Sequence, residues 1–388
     1  MPRTSSDDVI GILRGVLDPE LGDNIVDLGM VRGATVEDGV VHITVALTTA
    51  GCPLRAQIKK DVEGRVLTLP DVEKVKLHWD ELNQEEKARV MERARAHARE
   101  QADPTQVPLT ARVLAIASGK GGVGKSSLTT NLAADLARRG FTVGVLDADI
   151  WGFSVPRMIG VDERLEASQT DGDDRPLIRP TERPVGDGLL KVVSTGLLVE
   201  DEGTALMWRG LMLAKAVEQF LKDVHWGSLD YLLIDMPPGT GDVQMALARL
   251  LPQAEMLVVT TPAIAAQRVA VRVADMARRS HMPLLGVIEN MSSFETPDGQ
   301  RWALFGEGGG ADLADELSVP LLGSVPLEPT VSSGADAGEP ATITAEGRAV
   351  DAIRSIVDQL VESVAPPIEM EGCTARLLAS VEAALDGA

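Results

Sequence analysis

Gly119-Lys120-Gly121-Gly122-Val123-Gly124-Lys125-Ser126 decides the fold. It matches in full the pattern of a loop that binds the phosphates of a nucleoside triphosphate. The glycines let backbone N–H groups turn inward around a phosphate, and Val123 sits among them. Lys125 is placed to reach the terminal phosphates and Ser126 to hold Mg²⁺. The flanks fit. Val113-Leu114-Ala115-Ile116-Ala117 reads as a buried strand. After the loop, Leu128, Leu132 and Leu136 recur every four residues and give a helix its core face. Arg138-Arg139-Gly140 closes that helix with basic residues and a glycine cap.

Short apolar runs alternate with helical stretches from Ala111 onward. The runs are Val113–Ala117, Val143–Leu146, Tyr231–Ile234, Met256–Val259, Leu284–Ile288 and, more weakly, Leu321–Gly323. Near-continuous apolar runs mark strands buried on both faces, so the fold class is α/β, a mostly parallel sheet covered by helices. The segment Glu166–Gly188, rich in Asp, Pro and Arg, reads as a mobile loop.

Acidic residues fall at two strand ends. Tyr231-Leu232-Leu233-Ile234-Asp235 puts Asp235 beside the Mg²⁺ of the phosphate loop, directly or through water. Asp147-Ala148-Asp149 ends the strand that follows the loop helix. One of these carboxylates can orient water or reach the Mg²⁺ shell. The residues alone do not choose between them.

Ahead of the phosphate loop, residues 1–83 read as a small α/β domain. A helix over Asp8–Leu17 comes first, then a strand over Val40–Leu47, a helix over Leu54–Leu67 and a strand over Val72–Trp79. Residues 84–110 read as a solvated helical spacer followed by a linker, broken at Pro104 and Pro108. The nucleotide domain then spans 111–365, and 366–388 is a tail with one more helix, Thr374–Leu385.

The chain has 388 residues; Lys and Arg total 37 against 58 Asp and Glu, a net charge of −21. This balance disfavours nucleic-acid binding, which relies on neutralising phosphates, and a basic membrane-surface role. No run approaches the ~18 apolar residues of a membrane span, and Asp7 and Asp8 spoil a signal peptide. A cytoplasmic protein is expected. The two cysteines, Cys52 and Cys373, exclude a disulfide scaffold and any four-cysteine metal site within one subunit.

The motifs together resemble a known family. Lys120, ahead of the loop lysine, marks the deviant phosphate-loop ATPases of the MinD/ParA-like class. Within that class, the chain is similar to the Mrp/ApbC family of iron–sulfur cluster carrier ATPases. The similar segments are Asp147–Gly152, Trp208-Arg209-Gly210, Asp235-Met236-Pro237-Pro238-Gly239-Thr240-Gly241-Asp242, Glu289-Asn290-Met291-Ser292 and Phe305–Gly310. Asp18-Pro19-Glu20-Leu21, Asn24–Gly29 and Thr49-Ala50-Gly51-Cys52-Pro53 resemble the small SufT-like iron–sulfur assembly domain.

The resemblance implies an ATPase that uses ATP and Mg²⁺ and transfers iron–sulfur clusters to apoproteins as a homodimer, together with iron–sulfur assembly proteins. Lys120 would reach the partner's nucleotide, Asp149 would position the water, and Asn290 would hydrogen-bond adenine. Many members carry Cys-x-x-Cys after Asn-Met-Ser; here Thr296 and Gly299 stand at those positions. Neither replaces a thiolate. Cys52, ahead of Pro53 and a helix, is the remaining cluster ligand candidate, since a helix N-terminus stabilises a thiolate. The alternative for Cys52 is a small buried side chain at a tight turn. Cys373 stands in a featureless tail. The alternative function is a conformational switch or regulator acting through protein partners without a cluster.

Overall fold

The computed structural model describes residues 4–18, 21, 23–47, 55–101, 103–150, 152–168, 177–198, 210–296 and 298–368. Cys52, Cys373, Trp151, the Trp208-Arg209 pair and the expected tail helix Thr374–Leu385 lie outside the described residues. Two compact units divide the chain, Met1–Ala102 and Asp103–Ala388.

The first unit runs α1 (Ser6–Leu13), β1 (Val31–Glu37), β2 (Val40–Leu47), α2 (Arg55–Val66), β3 (Lys74–Glu81) and α3 (Gln84–Gln101). Its sheet has the order β1-β2-β3, with β1 antiparallel and β3 parallel to β2. Alternation sends Val41, Ile43 and Val45 of β2 inward, where all are 0% exposed. Ser5 starts α1 with a capping box, its hydroxyl accepting from the Asp8 N–H while the Asp8 carboxylate accepts from the Ser5 N–H. Val9 and Leu13 of α1 meet Ile58, Val62 and Val66 of α2 in one core. α3 is the expected spacer helix, and most of its described side chains are exposed. Val90 is buried in the first unit's core, so the helix is anchored there instead of standing free.

The second unit opens with β4 (Arg112–Ser118), α4 (Lys125–Arg138), β5 (Thr142–Asp147), α5 (Val155–Ile159), β6 (Glu166–Ser168), β7 (Leu177–Arg179), β8 (Thr181–Val185) and β9 (Gly188–Ser194). It continues with α6 (Gly210–Asp223), β10 (Tyr231–Asp235), α7 (Asp242–Leu250), β11 (Glu255–Thr260), α8 (Ile264–Arg279), β12 (Leu284–Glu295), β13 (Arg301–Trp302), α9 (Gly309–Leu317) and β14 (Leu321–Leu327). Three helices close it: α10 (Pro329–Ala337), α11 (Ala341–Thr344) and α12 (Arg348–Gln359).

The main sheet has the order β12-β11-β4-β10-β5-β9-β8; β14 also pairs with β12, and β13 joins the far end of β12. Every pairing is parallel except those of β8 and β13. One face packs against α4 and α12, with Leu128, Leu132, Leu136, Ile353 and Ile356 inside. The other carries α6, α7, α8 and α9, with Phe220, Leu247, Val273 and Leu313 inside. All six expected apolar runs are strands.

The expected loop Glu166–Gly188 is corrected in part, because β6, β7 and β8 lie within it. β6 pairs with β7, and β8 is the antiparallel edge strand. Proline is tolerated at such an edge, and Pro184 sits in β8. Residues 169–176 of that segment lie outside the described residues.

The topology places β4 between β10 and β11, with β5 beyond β10. The C-terminal ends of β4, β5 and β10 therefore meet, with Asp147 and Asp235 register partners. A parallel sheet whose order reverses at this point opens a crevice there for a ligand.

Candidate functional site

The phosphate loop links the end of β4 to α4, and Gly124 caps the helix with φ of 80°. A Cβ on Gly124 would stand 2.2 Å from Asn290 Nδ2. Only glycine meets both conditions. Gly122, with φ of 81°, has the same left-handed requirement. At the strand end, a Cβ on Gly119 would lie 2.4 Å from the backbone nitrogen of Ala270, so α8 closes against the loop. Gly124→Ala is expected to weaken nucleotide binding at least tenfold and to lower stability by about 1–3 kcal/mol. Calorimetric titration with ADP and a thermal melt check both.

Asp235 gathers the loop's functional groups. Lys125 Nζ lies 2.6 Å from Asp235 Oδ1. Ser126 Oγ donates to Asp235 Oδ2 at 2.6 Å, and Thr129 Oγ1 to Oδ1 at 2.9 Å. Asp235 is 0% exposed and Lys125 6%. A buried carboxylate is tolerable because one cation and two hydroxyls compensate it. The Ser126 hydroxyl and the Asp235 carboxylate are hard oxygen donors beside one another, which fits Mg²⁺. Bound there, the ion would neutralise phosphate charge.

A cleft of about 240 Å³ lies over the loop, lined by Gly121–Ser127, Asp149, Gly152, Ser154, Met158 and Pro238. Position separates the two carboxylates at and just after the end of β5. Asp149 lines the cleft, whereas Asp147 is 0% exposed behind it. Burial raises the Asp149 carboxyl above the usual range, with Lys125 opposing.

Asp147 is pushed up to about 7, first by burial and then by Asp235, with Lys125 opposing. A carboxyl that keeps its proton in the fold but loses it when unfolded favours low pH. Its contribution to the ligand-free protein is full below about pH 4 and is lost as pH rises through about 7. Wild type is therefore expected to lose more melting temperature between pH 5 and 8 than Asp147→Asn.

The second acidic motif is also built by hydrogen bonds. Gln244 is buried on α7; its Oε1 accepts from the Gly241 N–H at 2.8 Å. Its Nε2 donates to the carbonyls of Pro237 and Gly239, each at 2.9 Å. This one side chain shapes the loop Asp235–Asp242 beside the cleft. Gln244 and Thr129 were not legible as site residues, since a lone Gln or Thr carries no motif.

A family model described as a NUBPL iron-transfer P-loop NTPase matches residues 110–361. The chain belongs to that family. A second model, described as an iron–sulfur cluster assembly protein, matches residues 6–77. An iron–sulfur cluster carrier protein of Mycobacterium bovis is 43% identical over 355 residues, covering 89% of this chain and 90% of the relative. One from Synechocystis is 39% identical over 363 residues, covering 93% and 98%. A solved nucleotide-binding protein from Archaeoglobus fulgidus, in complex with ADP, is 34% identical with a TM-score of 0.50. It matches 61% of this chain and 90% of its own.

As an iron-transfer P-loop NTPase the chain has the fold and the nucleoside-triphosphatase activity that the sequence implied. The structure explains further motifs of this P-loop NTPase. Glu289, buried in the middle of β12, accepts from the Gly310 N–H at 2.6 Å. A Cβ on Gly309 would stand 2.3 Å from the Pro262 carbonyl, and one on Gly310 2.5 Å from Glu289 Cβ. Gly310 thus lets α9 seat tightly on β12, and Gly309 lets it pass close to Pro262.

Asn290 Nδ2 donates to the Val123 carbonyl at 2.9 Å, so the carboxamide braces the phosphate loop from β12. Lys120 is exposed, and its backbone carbonyl accepts from Ser118 Oγ at 3.2 Å. Thr296 and Gly299 lie in the hairpin between β12 and β13, where the Gly299 N–H donates to the Thr296 carbonyl at 2.9 Å. The Thr296 hydroxyl bonds Asp298. The positions of the usual Cys-x-x-Cys are thus occupied here by an ordinary turn. Among the described residues no helix is long and apolar enough to cross a membrane.

Proposed function

We propose that this chain is an ATP-hydrolysing carrier that binds iron–sulfur clusters and passes them to client apoproteins, acting as a homodimer. The observation that carries the reading is the complete phosphate-loop site, with Lys125, Ser126 and Thr129 gathered on Asp235, in a chain that belongs to an iron-transfer family. The N-terminal match to an assembly-protein domain supports the cargo.

Each site residue then has a task. The N–H groups of Gly119–Ser126 and the Lys125 ammonium hold the phosphates. Ser126 and Asp235 would hold the Mg²⁺. When nucleotide arrives, Lys125 exchanges Asp235 for the terminal phosphates, and Asp149 orients the attacking water across the cleft. Most of the rate comes from positioning and charge neutralisation. Asn290 keeps Nδ2 on Val123 and offers Oδ1 to the adenine amino group. Lys120 crosses to the nucleotide of the second copy.

The cargo is not held at Thr296 and Gly299, which lack thiolates. Cys52 supplies the cluster ligand, and a dimer brings two copies of it. The second reading, a conformational ATPase switch acting through protein partners without a cluster, is favoured by that same loss of Cys-x-x-Cys.

Transfer decides between them. Protein reconstituted anaerobically with iron and sulfide is mixed with an apo-enzyme that needs a [4Fe–4S] cluster. Recovery of the acceptor's activity, absent with unreconstituted protein, is expected. An acceptor that stays inactive would favour the switch.

A further inference from the structure

We infer that Asp147 is a positioning residue, clamping both ends of the segment that carries Asp149 and tying that segment to β9. The inference rests on the reading that Asp149 orients the attacking water.

Asp147 ends β5, and the chain then turns through Asp149 and Gly152 into α5. Four donors converge on its buried carboxyl, which accepts from all four once ionised. The Asp149 N–H reaches Oδ1 at 3.2 Å, just after the strand. The N–H groups of Ser154 and Val155 reach Oδ2 at 3.2 and 3.3 Å, where α5 begins. Ser194 Oγ, at the end of β9, donates to Oδ2 at 3.1 Å. The first contact and the next two bracket the segment, so one rigid group fixes where it leaves the sheet and where it re-enters helix. Inside the bracket, the Gly152 N–H donates to the Asp149 carbonyl at 3.0 Å and tightens the turn.

Burial makes this arrangement expensive unless it has a task. An ionisable side chain with no exposed surface, beside a second carboxylate, is not what packing alone selects. An apolar residue would fill the same volume but leave three backbone N–H groups without acceptors. Asp149 lines the cleft and Asp147 does not. Its influence on turnover therefore passes through the position of Asp149.

The Ser194 contact extends the clamp. The same hydroxyl accepts from the Gly196 N–H at 3.1 Å. The clamp therefore joins the Asp149 segment to the turn after β9, on the far side of β5.

Asp147→Asn keeps size and shape but turns an NH₂ toward donors, so the clamp loses contacts while every hydrogen bond of the phosphate loop is kept. The expected result is kcat at least tenfold lower with KM for ATP within twofold, the pattern of an interaction that matters in the transition state and not in binding. Asp149→Asn lowers kcat by more, and Asp147→Asn/Asp149→Asn is expected to be no slower than Asp149→Asn, because both act through one group. Amide exchange at Asp149, Ser154 and Val155 is expected to quicken at least tenfold in Asp147→Asn. Ser194→Ala removes one donor from the clamp without touching the carboxylate. It is expected to lower kcat about threefold at unchanged KM, and it carries the test should the buried Asp147 substitution fail to fold.

The inference is overturned if Asp147→Asn keeps kcat within twofold while Asp149→Asn does not. It is also overturned if the double variant loses the product of the two single losses, or if Ser194→Ala leaves both kcat and exchange unchanged. An Asp149→Asn variant with wild-type kcat instead removes the reading of Asp149 on which the inference stands.

Discussion

Lys125→Ala is expected to abolish ATP turnover, a loss of at least a thousandfold. With nucleotide, the proposed task of the ammonium is to neutralise terminal-phosphate charge in its own subunit, and a cation in that role is worth about 10³-fold or more. Without nucleotide, it pairs with Asp235 at 2.6 Å inside the fold. Removing one partner of a buried pair costs about 3 kcal/mol or more. Here the Ser126 and Thr129 hydroxyls still donate to Asp235, so the lower end of that range is expected. The variant should remain folded, with a lower melting temperature that ATP no longer raises. Steady-state phosphate release and thermal melts with and without Mg-ATP check this. Wild-type turnover by a folded Lys125→Ala protein would contradict the site.

Lys120→Ala is expected to fail differently. Its side chain is exposed, and among the described residues it forms no ion pair. Its loss costs the fold nothing measurable. If Lys120 completes the site of a second copy, turnover falls at least a hundredfold, as when a charge-stabilising group supplied in trans is removed. ATP affinity stays within about threefold, because the subunit's own loop and Lys125 are intact. Rescue in trans is the sharper check. Lys120→Ala mixed with Lys125→Ala forms mixed dimers whose intact loop faces an intact Lys120, so part of the activity returns. Two inactive variants that stay inactive when mixed would contradict the trans role.

How much of this was legible depended on how each residue acts. The central strands were legible because both faces are buried and their sequences run apolar without interruption. β9 was not, because Lys191 breaks its apolar run; the ammonium reaches out to the Trp226 carbonyl at 2.8 Å while the backbone stays in the sheet. β8 hid behind Glu182, Arg183 and Pro184, which only an edge strand accepts. β1 carries Arg32-Gly33 at a register irregularity, so its alternation is broken where a pattern would be sought.

In the site, the groups that touch phosphate were legible, since their chemistry demands fixed spacing on one loop. The groups that shape the site were not. Ser194 and Thr129 reach Asp147 and Asp235 across long sequence separations, and Gln244 acts by bonding the backbone of a nearby loop; no spacing announces any of them. The Asp147 and Asp149 pair lay between these cases. Spacing showed that a carboxylate was wanted and the resemblance pointed to Asp149; the structure puts Asp149 at the cleft and the fully buried Asp147 on the backbone.

Cluster loading of wild type and Cys52→Ser tests the carrier reading most directly. Both proteins are reconstituted anaerobically with iron and sulfide, desalted, and compared by visible absorption and by bound iron and sulfide. Wild type is expected to hold a coloured cluster that Cys52→Ser loses, while both hydrolyse ATP through the same phosphate-loop site. A colourless wild type, or a cluster that survives Cys52→Ser, would contradict the account.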